Sequence, residues 1–205
     1  MGIMHTKADT ILQQLAAISL EKCLLRLSRV SAGTWRMTGL DVAPGTLKDA
    51  LAGTAPGKKV SAVHFTLKAG GDLSALMLFD HDYIECISTA FTGLSFPRTE
   101  RTTPAEEVML LELGNIVLNA LASSVLNALK KFSMPAVPQF VEGEASALPA
   151  RLDSAEAGEV CRVISGSLTI QSGQCETVSR IFALVPESMA LEIEKAAAAG
   201  TIVSP

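Results

Sequence analysis

Glu112 and Asn115 stand one helical turn apart in the stretch Thr103 to Pro138, TPAEEVMLLELGNIVLNALASSVLNALKKFSMPAVP. A carboxylate can pair with a cation. An amide cannot act as a general base, but it can hold and orient a water through its N–H and C=O groups. Such a pair suits a substrate that is already activated, where placing the nucleophile is most of the catalysis. Nothing else in the chain suggests a self-sufficient active site. There is no G-x-S-x-G elbow, no Walker A loop and no G-x-G-x-x-G. Three scattered histidines (His5, His64, His81) give a Ser-His pair no sequence support, and His64 reads as an ordinary strand residue. Cys23, Cys86, Cys161 and Cys175 show no C-x-x-C spacing, so no zinc pattern and no metal site is expected.

The element that must present Glu112 and Asn115 is a long helix. Thr103 suits the N-cap, Pro104 the first helical position, and Glu106 the capping-box carboxylate three residues on. Lys130 and Lys131 lie near the C-terminal end, where the helix dipole favours positive charge. At ~100° per residue, Asn115, Asn119 and Ser123 fall within about 60° of Glu112, with Asn127 at the edge of that arc. Leu110, Leu111, Val117, Leu118, Leu121 and Val125 cluster opposite. Gly114 falls on the apolar side, which predicts close approach of another element. Asn is a mediocre helix former, so the amide line is not explained by helicity.

The run Glu112-Leu113-Gly114-Asn115, followed by Pro138 after twenty-two intervening residues, resembles the E-x-x-N…P signature of the CheC/CheX/FliY chemotaxis phosphatases. That signature usually carries Ser or Asp four residues before the Glu. Val108 stands there instead, which puts the efficiency of the site in question.

Bulk properties bound the alternatives. The chain has 205 residues, 48% of them apolar and only 4% aromatic, so Leu, Ala, Val and Ile must fill the core. Net charge is −4, the pI is about 5.4 and mean hydropathy is +0.34. With no basic run beyond Lys58-Lys59 and Lys130-Lys131, nucleic acid and anionic membranes are not expected partners. No secretory pattern opens the sequence, and the short myristoylation-like match at Gly2 to Thr6 is discounted. The window Val108 to Leu129 is long enough to span a bilayer. Glu112, Asn115, Asn119 and Asn127 interrupt it, so an amphipathic helix is the better account. Cys23 and Cys86 read as small core residues, and free thiols predict a reducing cytoplasm.

Read in order, residues 7 to 30 form a first helix whose buried stripe includes Ile11, Leu15, Ile18 and Leu25. A strand follows over Thr34 to Val42, with Trp35, Met37 and Leu40 in one buried register. Residues 43 to 57 are a connector with a helical turn at Leu47 to Leu51. Strands Lys59 to Lys68 and Leu73 to Phe79 form a hairpin around Gly70-Gly71. Asp80 caps a helix from His81 to Phe91, Gly93 ends it, and 94 to 102 is a linker. After the central helix come a strand near Met134 to Glu142 and a connector from 143 to about 157. Strands Glu159 to Gln171 and Glu176 to Leu184 flank Ser172-Gly173, and Pro186 opens a helix from Glu187 to Ala198. Helix, strand, hairpin, helix therefore occurs twice, at a period near 100. The expectation is an α/β (α+β) fold in one domain over 1–205. Two pseudo-symmetric halves, about 7–93 and 104–198, share an antiparallel sheet flanked by long helices, as in the CheC/CheX fold. A shift of 98 lays Glu112 on Gln14, Asn115 on Ala17 and Pro138 on Leu40, which predicts one working site, in the second half.

The resemblance implies a protein aspartyl-phosphate phosphatase acting on a CheY-type response-regulator receiver. In that scheme Asn115 orients the attacking water and Glu112 anchors the helix on a receiver lysine. The phosphoryl group and Mg²⁺ belong to the partner, so no cofactor is expected on this chain. Asn119 is a candidate receiver contact, and Gly114 and Pro138 are structural supports. The alternative is a non-catalytic CheC-like adaptor that binds a receiver, a CheD-type deamidase or a second copy of itself.

Overall fold

The computed structural model describes residues 6–52, 57–69, 71–96, 100–133, 137–152 and 160–202. Two long helices dominate, α1 (Lys7–Val30) and α4 (Pro104–Ala128). Both start on a full capping box: Thr6 with Asp9, and Thr103 with Glu106. Each box satisfies two backbone donors that the first helical turn would otherwise leave unpaired. Six strands follow the expected order: β1 (Thr34–Gly45), β2 (Lys59–Lys68), β3 (Asp72–Asp80), β4 (Gln139–Glu144), β5 (Cys161–Ser172) and β6 (Cys175–Val185). The remaining helices are α2 (Leu47–Ala52), α3 (Ile84–Thr92), α5 (Leu148–Arg151) and α6 (Glu187–Ala198).

The strands make one antiparallel sheet in the order β1-β5-β6-β3-β2-β4. Reading that order from either end exchanges the two halves strand for strand. β1 stands to the β5–β6 hairpin as β4 stands to the β2–β3 hairpin, so the pseudo-dyad passes between β3 and β6. Each half's first strand pairs with the other half's hairpin. The main core lies on one sheet face, where α1, α3, α4 and α6 pack over Val63, Phe65, Leu73, Met77, Ile164 and Ile181 among others. The opposite face carries a smaller cluster in which Leu47 and Leu51 of α2 and Leu148 of α5 cover Val60, Ala62, Leu78 and Phe182.

Several expectations need correction. Ile18 and Leu25 are 37% and 54% exposed. The buried arc of α1 runs instead through Leu12, Leu15, Ala16, Leu20, Cys23, Leu24 and Leu27. On a helical wheel Ile18 and Leu25 lie on the far side of that arc. Trp35, Met37 and Leu40 do face one side of β1, although their spacing is not strictly alternate. A register shift between Met37 and Gly39 brings Leu40 and Val42 onto the face of Trp35 and Met37. The helix expected from His81 opens as a 3₁₀ turn over His81–Tyr83, capped by Asp80, before α3 proper. Gly93, at φ 78°, ends α3 in the left-handed conformation. The strand after α4 starts at Gln139, and residues 134–136 lie outside the described set. The connector from 143 is structured: β4 runs to Glu144, then come a 3₁₀ turn at Ala145–Ala147 and α5.

The cysteines differ most. Cys86 of α3 and Cys175 at the start of β6 are joined as a disulfide, with Cα atoms 5.9 Å apart. Cys23 and Cys161 are free and buried. The inference of a reducing compartment from four free thiols therefore falls. α4 is long and apolar enough to cross a membrane by length and composition, but 56% of its most apolar stretch is buried inside the fold.

Candidate functional site on the second long helix

Three contacts position α4. Gly114 meets the sheet: a Cβ built there would lie 2.6 Å from Val63 Cγ1 of β2 and 2.7 Å from Val63 Cβ. The glycine thus lets helix and strand approach more closely than any side chain would permit. Leu110, Leu113, Val117, Leu118, Leu121 and Val125 are fully buried around it. On its flank α4 packs against α1, where Ser19 Oγ donates to Ala120 O at 2.6 Å and Cys23 Sγ to Ile116 O at 3.8 Å. Four residues up α1 correspond to four down α4, so the helices run antiparallel.

The third contact holds the start of α4, and Glu142 of β4 is its centre. Lys59 Nζ pairs with Glu142 Oε1 at 2.8 Å. The backbone N–H of Thr102 donates to Oε2 at 2.8 Å, and the Thr102 hydroxyl donates to the same oxygen. The buried His81 lies beside it, Nδ1 being 3.7 Å from Oε2. Burial alone would raise the Glu142 carboxyl, but the hydrogen bonds from Lys59 and Thr102 outweigh it and bring it down to about 2. Pro138 immediately precedes β4, so it opens the strand that carries this anchor. Glu142 was missed in the sequence because nothing local marks it; its partners lie 40 residues away or more.

Held in this way, α4 shows solvent a stripe of Val108, Glu112, Asn115, Asn119, Ser123 and Asn127. Glu112 is exposed and makes no hydrogen bond or ion pair with a described residue. Asn115 and Asn119 are half-buried, and Asn119 Nδ2 donates to Asn115 Oδ1 at 2.6 Å. Val108 is 67% exposed at the head of the stripe. At the matching positions of α1, Gln14 has a carboxamide where Glu112 has its carboxylate, and Ala17 has no polar group where Asn115 has its amide.

Beside the stripe, α1 and α4 enclose a groove of about 520 Å³, lined by Lys22, Arg26 and Val30 on one wall and Ile116, Asn119 and Ser123 on the other. Cys23 also faces it. Burial pushes the Cys23 thiol up, against a smaller opposite pull from Arg26, so it stays a protonated, weakly nucleophilic thiol. His64 is shifted down by burial and sits in the ladder opposite Leu76 and Gln139 as an ordinary strand residue. Among the described residues no group of three or more His, Cys, Asp or Glu converges on a metal-sized site. What the stripe can do is chemical in a limited sense: offer a carboxylate to a cation, and an amide to a water.

No protein-family model matches the chain, and no curated protein sequence matches it. Solved structures do. FliY of Thermotoga maritima superposes with a TM-score of 0.66 at 12% identity, over 95% of this chain and 97% of that one. FliM in a FliG–FliM complex from H. pylori gives 0.57 at 14% identity, over 92% and 100%. CheX in a complex with CheY, BeF₃ and Mg²⁺ from Borrelia burgdorferi gives 0.52 at 14% identity, over 84% and 96%. Identities this low speak for the architecture alone.

Proposed function

The chain has the CheC/CheX/FliY fold, and on that fold we propose that it is a phosphatase for the aspartyl phosphate of a CheY-type response-regulator receiver. The observation that carries this reading is the pairing of an exposed, unpartnered Glu112 with Asn115 one turn on, along the outward stripe of a helix locked to the sheet by Gly114. Glu112 pairs with a lysine of the receiver. Asn115 enters the receiver's site and holds a water in line with phosphorus. The water oxygen bonds to phosphorus as the acyl-phosphate P–O bond breaks, and both protons of the water leave with the inorganic phosphate as H₂PO₄⁻. The aspartate leaves as a carboxylate, a weak base that needs no general acid, so an amide that only positions water suffices. Mg²⁺ and the phosphoryl group belong to the partner. The complex in which a protein of this fold holds CheY with BeF₃, a phosphoryl stand-in, and Mg²⁺ supports the scheme. From such a partner we infer a cytoplasmic location and a part in chemotaxis-type signalling, a reading that rests on the partner and not on the thiols.

A second reading is an adaptor that docks a receiver, a CheD-type deamidase or another copy of itself without hydrolysis. Two observations favour it. Val108 presents an exposed methyl pair where the signature carries a polar group, and FliM, of the same fold, is seen in complex with FliG.

The deciding experiment follows the decay of a phosphorylated receiver from the same genome, with and without the protein. The wild type accelerates decay, and Asn115→Ala reduces that acceleration on the order of 10²-fold or more while leaving receiver binding intact. Glu112→Ala weakens binding. Binding without acceleration by the wild type would establish the adaptor instead.

A further inference from the structure

Among the described residues of the stripe, Asn119 is the one that hydrogen-bonds Asn115, and the contact is directional. Its Nδ2 lies 2.6 Å from Asn115 Oδ1 across one helical turn. Side chains on a helix lean toward its N-terminus, so residue 119 is the one placed to reach back over 115. A free asparagine amide turns readily about its terminal torsion, which is broad and two-fold. A second amide bound to Oδ1 removes that freedom. It leaves both Asn115 N–H donors and one lone pair of Oδ1 with no partner among the described residues.

We propose that Asn119 is a positioning residue for this site, fixing which face of the Asn115 amide meets the water and the phosphoryl group. The inference rests on the phosphatase reading above and goes beyond it, because it gives a task to a residue outside the E-x-x-N spacing. The pseudo-symmetric half supplies the internal contrast. A shift of 98 puts Ala17 and Glu21 where Asn115 and Asn119 stand, so the pair is absent as a unit from the helix that lacks the site. The groove next to Asn119 leaves its amide accessible on one side, so the contact is not enforced by core packing.

The test compares wild type, Asn115→Ala, Asn119→Ala, Asn119→Gln and Asn119→Asp in stimulating decay of the phosphorylated receiver, with kcat separated from KM and thermal midpoints recorded. Asn119→Ala lowers kcat by about tenfold with KM unchanged. Its thermal midpoint does not fall, because alanine is the better helix former at a half-buried surface position. Asn119→Gln keeps a donor amide and recovers part of the loss. Asn119→Asp loses more than Asn119→Ala: a carboxylate only accepts, so it turns the Asn115 amide over and presents its carbonyl outward. Wild-type kcat in Asn119→Ala, or equal losses in all three Asn119 variants, overturns the positioning role while acceleration lost in Asn115→Ala leaves the phosphatase standing. Failure of the wild type to accelerate decay at all overturns both.

Discussion

Gly114→Ala is the sharpest probe of how the site is held. In an ordinary helix interior the change stabilises by about 1 kcal/mol, because glycine has the larger backbone entropy to lose. Here the new Cβ would sit 2.6 Å from Val63 Cγ1, 2.7 Å from Val63 Cβ and 3.2 Å from Cγ2. A new rotamer of Val63 could move the two methyl groups but not its Cβ, which is fixed to the strand. The helix must therefore rise from β2 by about 1 Å to restore van der Waals distance, opening the contacts of the fully buried Leu110, Leu113 and Val117. Overpacking of this kind costs about 1–3 kcal/mol, so after the gain in helix propensity the expected net effect is a loss of about 0–2 kcal/mol. Chemical denaturation reads this directly, since Trp35 is the only tryptophan and is buried in the main core. Val63→Ala in the Gly114→Ala background removes two of the three close atoms, and a double-mutant cycle should show favourable coupling of about 1 kcal/mol. A Gly114→Ala protein more stable than wild type by the full propensity gain would refute the close-approach argument.

Two further outcomes follow from the anchors. Glu142 titrates at about 2 in the fold against an ordinary 4.5; a carboxylate depressed on folding adds stability above its unfolded value, here about 3 kcal/mol, lost as pH falls from about 4.5 toward 2. Glu142→Gln should flatten the stability-versus-pH slope in that window, and an unchanged slope would remove Glu142 from the account. The Cys86–Cys175 disulfide spans a sequence separation of 89, so reduction should lower unfolding stability by about 4.6 kcal/mol. A thiol count on the unfolded, unreduced chain should find two groups, Cys23 and Cys161, and a count of four would contradict the pairing.

What could be read from the sequence was local. The Thr103–Glu106 capping box, the amide stripe of α4, the buried glycine on its back and both hairpins depend on residues a few positions apart, and all stand in the structure. The duplication was legible because two similar patterns recur about 100 residues apart. What could not be read was set by distant partners. Neither β1 nor β4 carries any mark of which strand it joins. Cys86 and Cys175 have no spacing that announces a bond. Thr102, Lys59 and Glu142 meet only because β4 lies beside β2. Ile18 and Leu25 misled because an apolar residue on a helix need not face the core. Asn119 was visible as part of the amide line, but its hydrogen bond to Asn115 depends on side-chain orientation, which composition does not fix.

The exchange of first strands between halves has a consequence in time. β1 has no hydrogen-bonded partner until β5 exists: Thr34 pairs with Gln171, and Gly45 with Cys161. β3, at the centre of the sheet, waits for β6 in the same way, since Ser74 pairs with Leu184. During synthesis the first half can close its β2–β3 hairpin and little else. Loop-closure entropy over more than a hundred residues must be met before the sheet is joined, which makes a slow late step the natural course of folding. Until then strand edges stay unpaired and open to wrong partners. The surface that would meet a receiver is aimed once β4 has joined β2, because its anchors are Val63 of β2, the flank of α1 and Glu142 of β4, so a chain cut before β4 presents the amide stripe without the strands that aim it.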